Sequence, residues 1–222
     1  CAAANWIALA SWVARLWADR TSVLVDTGST TTDVVLLEDG EPRTTALTDT
    51  QRLATGELVY IGATRTPLCA LGPRVAYDGA SVPIMAEHFA TSSDVHLLTG
   101  DLPAEPDCTD TADGRPKTPA AAAARIARMI GADSESLTAP HARCLARSFS
   151  AVMTRQVAKA IRLVVGDCRP QRIVTSGSGD FLAVAAAAAA MPRVTQVRLA
   201  DKIGAAASRT ACAAALLQLC EP

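Results

Sequence analysis

The spacing of apolar and polar positions changes several times along the chain, and each change marks an element. Residues 2–18 hold Trp6, Trp12 and Trp17, which point in different directions at helical pitch. A helix apolar around most of its girth expects protein on several sides. Ser22–Asp26 (SVLVD) then reads as a short strand and Asp33–Glu38 (DVVLLE) as a second. Asp39-Gly40 is a hairpin signal, with Arg43–Leu47 as the returning third strand. Residues 49–72 mix short helical and extended stretches around Gly56, Gly62 and Pro67, and residues 73–86 read as extended about the Asp78-Gly79 turn. A helix is predicted over Ala90–Leu98. Residues 100–119 hold four prolines among acidic and small residues and read as a long loop, a length that points to function.

The second half alternates helix and strand. Thr118–Ile130 is an Ala-rich helix. Pro140–Val165 carries Leu145, Phe149, Val152, Met153, Val157, Ile161 and Val164 at spacings of three and four. Arg172–Ser176 is a strand, 177–179 a tight turn, Asp180–Ala190 a helix, Val194–Leu199 a strand, and Asp201–Leu219 a closing helix. This alternation predicts an α/β fold with helices packed on a mixed sheet.

Composition narrows the classes. The chain has 222 residues and is 50% hydrophobic, so a sizeable core forms and wholesale disorder is excluded. Its net charge of −1 lacks the basic excess of a nucleic-acid binder. The longest apolar run, Phe181–Met191, is short of the roughly 20 residues that span a bilayer, so no membrane partner is expected. Seven cysteines at wide spacing, with no CxxC, argue against a disulfide framework and a zinc ribbon. Free thiols in a cytoplasmic protein are expected instead. His88 and His96 have no suitably spaced Cys partner for zinc, and His141 falls near a helix N-terminus.

Two segments carry candidate chemistry. In Val25–Asp33 (VDTGSTTTD) a strand ends in Asp26, Gly28 permits a tight turn, hydroxyls follow, and Asp33 opens the next strand. Gly28, Ser29, Thr30 and Thr31 are candidate phosphate-binding residues, and Asp26 and Asp33 candidate catalytic groups and Mg²⁺ ligands. In Ile173–Asp180 (IVTSGSGD) the residues Gly177, Ser178 and Gly179 form a strand–turn–helix step that favours an anion or a ligand's close approach. A plain βα turn capped by Ser178 or Asp180 explains that segment equally well.

Taken together, VDTGSTTTDVV resembles the second phosphate loop of the superfamily that includes actin, sugar kinases and heat-shock chaperones. IVTSGSGDFLA resembles its adenosine-side glycine turn, and DKIGAAASRTACAAALL its Ala-rich last helix. The resemblance implies a ribonuclease-H-like fold, present mainly as its second half. On that reading residues 1–19 join a missing N-terminal half, and residues 20–222 form the second half with an inserted region at about 49–135. The chain opens at Cys1 without the first phosphate loop of the DIGG type, and its first helix is a candidate homo-oligomer contact.

The middle motifs TDTQRLATGELVYIGATRTPLCAL, EHFATSSDVHLLTG, TADGRP and ARIARMIGAD are similar to those of hydantoinase A/oxoprolinase-like proteins linked to tetrahydromethanopterin-dependent one-carbon transfer. That family's archaeal relatives act in methanofuran biosynthesis. The resemblance implies a transferase that joins a furanylmethyl diphosphate to γ-glutamyltyramine and releases diphosphate. Glu57 and Arg65 would line the cleft as catalytic groups, Arg65 through its fork of donors. Asp94, Asp113 and Arg115 would contact substrate or form a lid, with Glu87 as a further acid. A phosphorylated small molecule would be the partner and Mg²⁺ the cofactor. Two alternatives stand beside this reading: an ATP-dependent hydantoinase- or oxoprolinase-like hydrolase or small-molecule kinase, and an inactive fragment or nucleotide-gated interaction module.

Overall fold

A strand buried on both faces anchors the structure. The computed structural model describes residues 5–44, 46–133 and 136–220. After helix α1 (Asn5–Leu16), strand β1 (Ser22–Thr27) is buried along its whole length. It pairs antiparallel with β2 (Thr32–Glu38), which turns through Asp39-Gly40 into β3 (Glu41–Arg43). Both turn residues have positive φ (54° and 78°), the twist a two-residue hairpin needs. The third strand ends at Arg43 rather than Leu47, and Thr45 lies outside the described residues. Helix α2 (Asp49–Thr55) and β4 (Leu58–Val59) follow, and β4 returns to pair with β2.

The chain divides into two compact units. One comprises Cys1–Ile61 with Thr154–Pro222, the other Gly62–Met153. An inserted region was expected at about 49–135. The observed unit starts later because α2 and β4 are held to β2, and it ends later because it takes the first part of the next long helix.

The second unit holds a short 3-10 helix (Leu68–Leu71), the hairpin β5 (Arg74–Tyr77) and β6 (Ala80–Pro83), and the helices α3 (Ser92–Thr99) and α4 (Pro119–Arg128). Helix α5 (Ala139–Val165) contributes residues up to Met153 here and the rest to the first unit. Arg125 is fully buried and ties the unit together. Its Nε lies 2.8 Å and its Nη2 2.7 Å from Asp94 Oδ1, and its Nη1 lies 2.9 Å from Asp113 Oδ1. Asp94 Oδ2 accepts the Thr91 N–H at the start of α3.

The first unit closes with β7 (Arg172–Ser176), α6 (Asp180–Ala190), β8 (Thr195–Arg198) and three short helices, α7 (Leu199–Ile203), α8 (Ala205–Arg209) and α9 (Ala211–Cys220). The single closing helix predicted over 201–219 is therefore interrupted twice, at Gly204 and at Thr210. Strands β7 and β8 run parallel to β1, giving the order β3-β2-β1-β7-β8 with only β2 reversed in that row. This is a ribonuclease-H-like sheet in an α/β fold.

Register decides which side chains share a face. Leu24, Val35 and Val174 are cross-strand neighbours and form one core with Trp6, Leu9, Val13, Ala211 and Ala215 of α1 and α9. Helix α6 covers β1 and β7 with a stripe of alanines, which lets it approach closely. All three tryptophans have neighbours within the chain. Trp6 and the partly buried Trp12 and Trp17 join the α1–α9 core, and Trp17 also faces Lys202 and Arg172. Cys69, Cys108, Cys144, Cys168 and Cys212 are free thiols, while Cys1 and the Cys220 side chain lie outside the described residues. Among the described residues no helix is long and apolar enough to cross a membrane.

Removing one partner of a buried ion pair leaves an uncompensated charge. Arg125→Met is expected to lower stability by about 3–5 kcal/mol in urea unfolding. Adding Asp94→Asn should recover part of that loss, because it removes the orphaned carboxylate while keeping an acceptor for the Thr91 N–H.

Candidate functional site

Three polar groups lie in one row at the strand ends. Asp33 on β2 sits opposite Asp26 on β1, which sits beside Ser176 on β7. The row continues the face of Leu24, Val35 and Val174 beyond the apolar core. Ser176 Oγ donates to Asp26 Oδ1 at 2.5 Å, and the Cys212 thiol donates to Oδ2 at 3.9 Å. Asp26 is only 8% exposed. Burial pushes its carboxyl up to about 7 against the Ser176 hydrogen bond, and the Asp33 and Asp180 charges add to the rise. Burial and the Asp26 carboxylate push the Cys212 thiol up to about 12, so it is a donor here and no nucleophile.

Asp33 is balanced differently. Burial raises its pKa, and Arg52 opposes the rise with Nη2 2.8 Å from Oδ1. Arg52 is 1% exposed, lies 3.7 Å from the Trp6 ring centre, and also donates to the Glu57 carbonyl. A desolvated cation over an indole contributes about 2 kcal/mol. Glu57 accepts the Thr44 hydroxyl at 2.5 Å and lines a separate 380 Å³ cavity with Pro42, Arg43 and Thr44.

The two glycine turns meet. The Gly179 N–H donates to the Thr27 carbonyl, and Gly177 has φ +96°. A Cβ at Gly177 would clash with the Thr27 carbonyl and lie 2.9 Å from Asp26 Oδ1, so only glycine fits. The N–H groups of Gly28, Gly177 and Gly179 are taken by the carbonyls of Thr31, Ser208 and Thr27. These glycines therefore shape the site, and side chains supply much of its polar lining.

A 360 Å³ cavity opens over this junction, lined by Asp26, Gly28, Ser29, Gly177, Ser178 and Arg209, together with Asn5, Thr210 and Cys212. Asp33 and Thr31 line a neighbouring 210 Å³ cavity with Trp6, Asp49 and Arg52; Asn5 and Cys212 border both. Thr30 places its hydroxyl 3.4 Å from that of Ser29. The sheet order puts these cavities at the C-terminal ends of parallel strands, where open α/β sheets bind ligands.

The remaining predicted residues belong to the second unit. Arg65 is exposed in an irregular stretch. Asp94 is buried against Arg125, and burial raises its carboxyl, opposed by that arginine. Burial works against Asp113 too, yet hydrogen bonds from Arg115 and Arg125 bring it down to about 2. Arg115 stays at the surface, paired with Asp113. Arg125 thus links Asp94 of α3 to Asp113, which in turn holds Arg115.

Sequence reasoning missed Arg52, Arg209 and Thr210. Arg209 and Thr210 were read as part of a continuous helix, although an Arg-Thr pair inside an alanine run was a signal. Arg52 gives no local sign of its role, because its partners lie 19 and 46 positions away. Asp180 was read only as a cap, and its carboxylate accepts from Arg198 at 2.6 Å.

As for magnesium, that ion binds through one or two carboxylates together with substrate phosphates. Asp26 fits as the one carboxylate among the described residues that line the 360 Å³ cavity, with hydroxyls around it. Asp33 gives Oδ1 to Arg52. Among the described residues no group of three His, Cys, Asp or Glu forms a metal cluster.

Two relatives are both named (4-{4-[2-(gamma-L-glutamylamino)ethyl]phenoxymethyl}furan-2-yl)methanamine synthase. The one from Methanocaldococcus jannaschii is 36% identical over 133 residues, covering 60% of this chain and 40% of that protein. The one from Methanococcus vannielii is 28% identical over 162 residues, covering 73% of this chain and 72% of that protein. A crystal structure of a ROK family transcriptional regulator, a homologue of the E. coli MLC protein, overlaps 96% of this chain and 52% of its own, at TM-score 0.32 and 16% identity. The chain thus spans less than half of the first relative's length. The hydantoinase/oxoprolinase family profile matches residues 1–218, and the chain belongs to that family.

Proposed function

We propose that the cavity over Asp26 binds the diphosphate of an activated furanylmethyl substrate, and that the chain serves a transferase that passes this group to a γ-glutamyltyramine phenol. The observation that carries this reading is the convergence of Arg209, Ser29, Ser178 and Asp26 on one cavity at the strand ends. The names of the two relatives support the chemistry, since both describe a phenoxymethyl furan. Forming that ether makes one bond from the phenol oxygen to the furan-bearing methylene. The methylene–diphosphate C–O bond breaks, its electron pair leaves with the diphosphate, and the phenol proton is released.

Stabilising negative charge on the leaving group is the main task of such a site. Arg209 meets it with a fork of donors that matches phosphate oxygens. Ser29, Ser178 and Thr210 orient the anion. Asp26 would hold Mg²⁺, which supplies further charge neutralisation to the diphosphate. Arg52, paired with Asp33, lowers the net negative charge that the anion meets on entry.

Calorimetric titration of the chain with Mg-diphosphate and Mg-ATP tests the reading. Diphosphate should bind, and Arg209→Gln should weaken it about tenfold or more, the loss of one charge-assisted contact. Binding of ATP without binding of diphosphate would overturn the transferase in favour of an ATP-dependent enzyme, and silence with both ligands would also overturn it.

Asp26 yields a second prediction. Its folded pKa, about 7, lies above the ordinary 3.8, so folding favours the protonated form. Stability from this group is full below the ordinary value and declines as pH rises toward 7. Asp26→Asn should therefore raise the melting temperature more at about pH 8 than at about pH 5. In the parent chain, diphosphate binding should depend on Mg²⁺ more strongly above that pKa than below it, because an ionised Asp26 repels the bare anion. A Mg²⁺ dependence unaffected by pH would count against Asp26 as the ligand.

A further inference from the structure

The second unit contains a cavity that the proposed reaction does not use. It measures 530 Å³, within the range of small-molecule sites. Its walls come from the last turn of α3, the first turns of α4 and the first turns of α5. Leu97, Leu98 and Ala123 give it a buried or half-buried apolar lining, and the exposed Arg143 and Arg147 border it.

The two arginines set the charge of this cavity. Ala139, Arg143 and Arg147 recur at intervals of four, so both guanidinium groups rise from one stripe of α5 beside the cavity. Like charges at this spacing repel by a few tenths of a kcal/mol. Neither α4 nor α5 contains an Asp or Glu, and the one acid of α3, Asp94, is held by Arg125. Among the described residues neither guanidinium has an ion pair or a hydrogen bond to the protein. Arg125 of α4, by contrast, is buried and paired with Asp94 and Asp113. A paired, unneutralised fork above an apolar cavity matches an anion attached to an apolar body.

We infer that this cavity is a second binding site, for a small molecule whose carboxylate or phosphate bridges Arg143 and Arg147 and whose apolar, ring-sized body rests on Leu97, Leu98 and Ala123. Two guanidinium groups suit one anionic group, and the shape of the cavity sets the size of the body. The site shares no residue with the Asp26 cavity, so the two readings stand or fall separately.

Titration of the full 222-residue chain with 4-phenylbutyrate tests the inference. The neutral 4-phenylbutan-1-ol and acetate serve as comparators that lack the charge or the apolar body. Phenylbutyrate should bind saturably, with each comparator weaker by about tenfold or more. The double variant Arg143→Gln/Arg147→Gln should lose about tenfold or more in affinity, with an unchanged melting temperature because both side chains are exposed. Ala123→Leu, which fills the floor, should abolish binding in a chain that still melts cooperatively. The inference is overturned if phenylbutyrate fails to saturate, if acetate binds as well, or if the double arginine variant binds as tightly as the parent.

Discussion

Two carboxylates opposite each other on adjacent strands set the terms for the first unit. Cross-strand neighbours hold their Cβ atoms about 5 Å apart. At that separation two full charges repel by on the order of 3 kcal/mol, even with the effective screening of a protein interior. Asp26 and Asp33 resolve the conflict asymmetrically. Asp33 takes Arg52, and Trp6 shields that cation from water. Asp26 has neutral donors, Ser176 and Cys212, and is pushed toward neutrality. One carboxylate is thereby paired with a buried cation, and the other is held among neutral donors beside the cavity. The position of α1 follows from the same requirement, because its first turn must bring Trp6 over Arg52.

Much of the fold was legible because it follows local rules. Asp39-Gly40 and Asp78-Gly79 both adopt the positive-φ geometry that a tight hairpin demands. Strand β7 and helix α6 fall at the predicted limits, since a β-branched run, a glycine turn and an alanine stretch leave little choice. The site was only partly legible. The DTG and GSG turns were visible as motifs, and the chain brings them together. Their division of labour was not visible. Which glycine N–H groups are free depends on Thr27, Thr31 and Ser208, and those partners are set by tertiary packing.

The acidic residues of the middle region show the same limit. Asp94 and Asp113 looked like candidates for substrate contact because they sit in polar, loop-rich sequence. Each is instead held by Arg125, which lies in an alanine helix 31 and 12 positions away. A buried guanidinium needs two acceptors, and the nearest in space are distant in sequence. The consequence is mechanical: Arg125 ties the Asp113–Arg115 stretch to α4.

The closing helices carry the argument from packing to chemistry. Ala211 and Ala215 of α9 face the core. Were the helix continuous, Arg209 would lie about 200° around the axis from Ala211, on the side away from the sheet. The break at Thr210, with φ −118° and ψ 39°, removes that constraint. Arg209 and Thr210 then turn toward Asp26 and the glycine turns, while Ala211 keeps its place in the core. Gly204 performs the first interruption, freeing α8 to adopt its own direction. A stretch that reads as uniform helix thus becomes part of the cavity wall, and the position of Arg209 depends on a helix that stops one residue before its alanines resume.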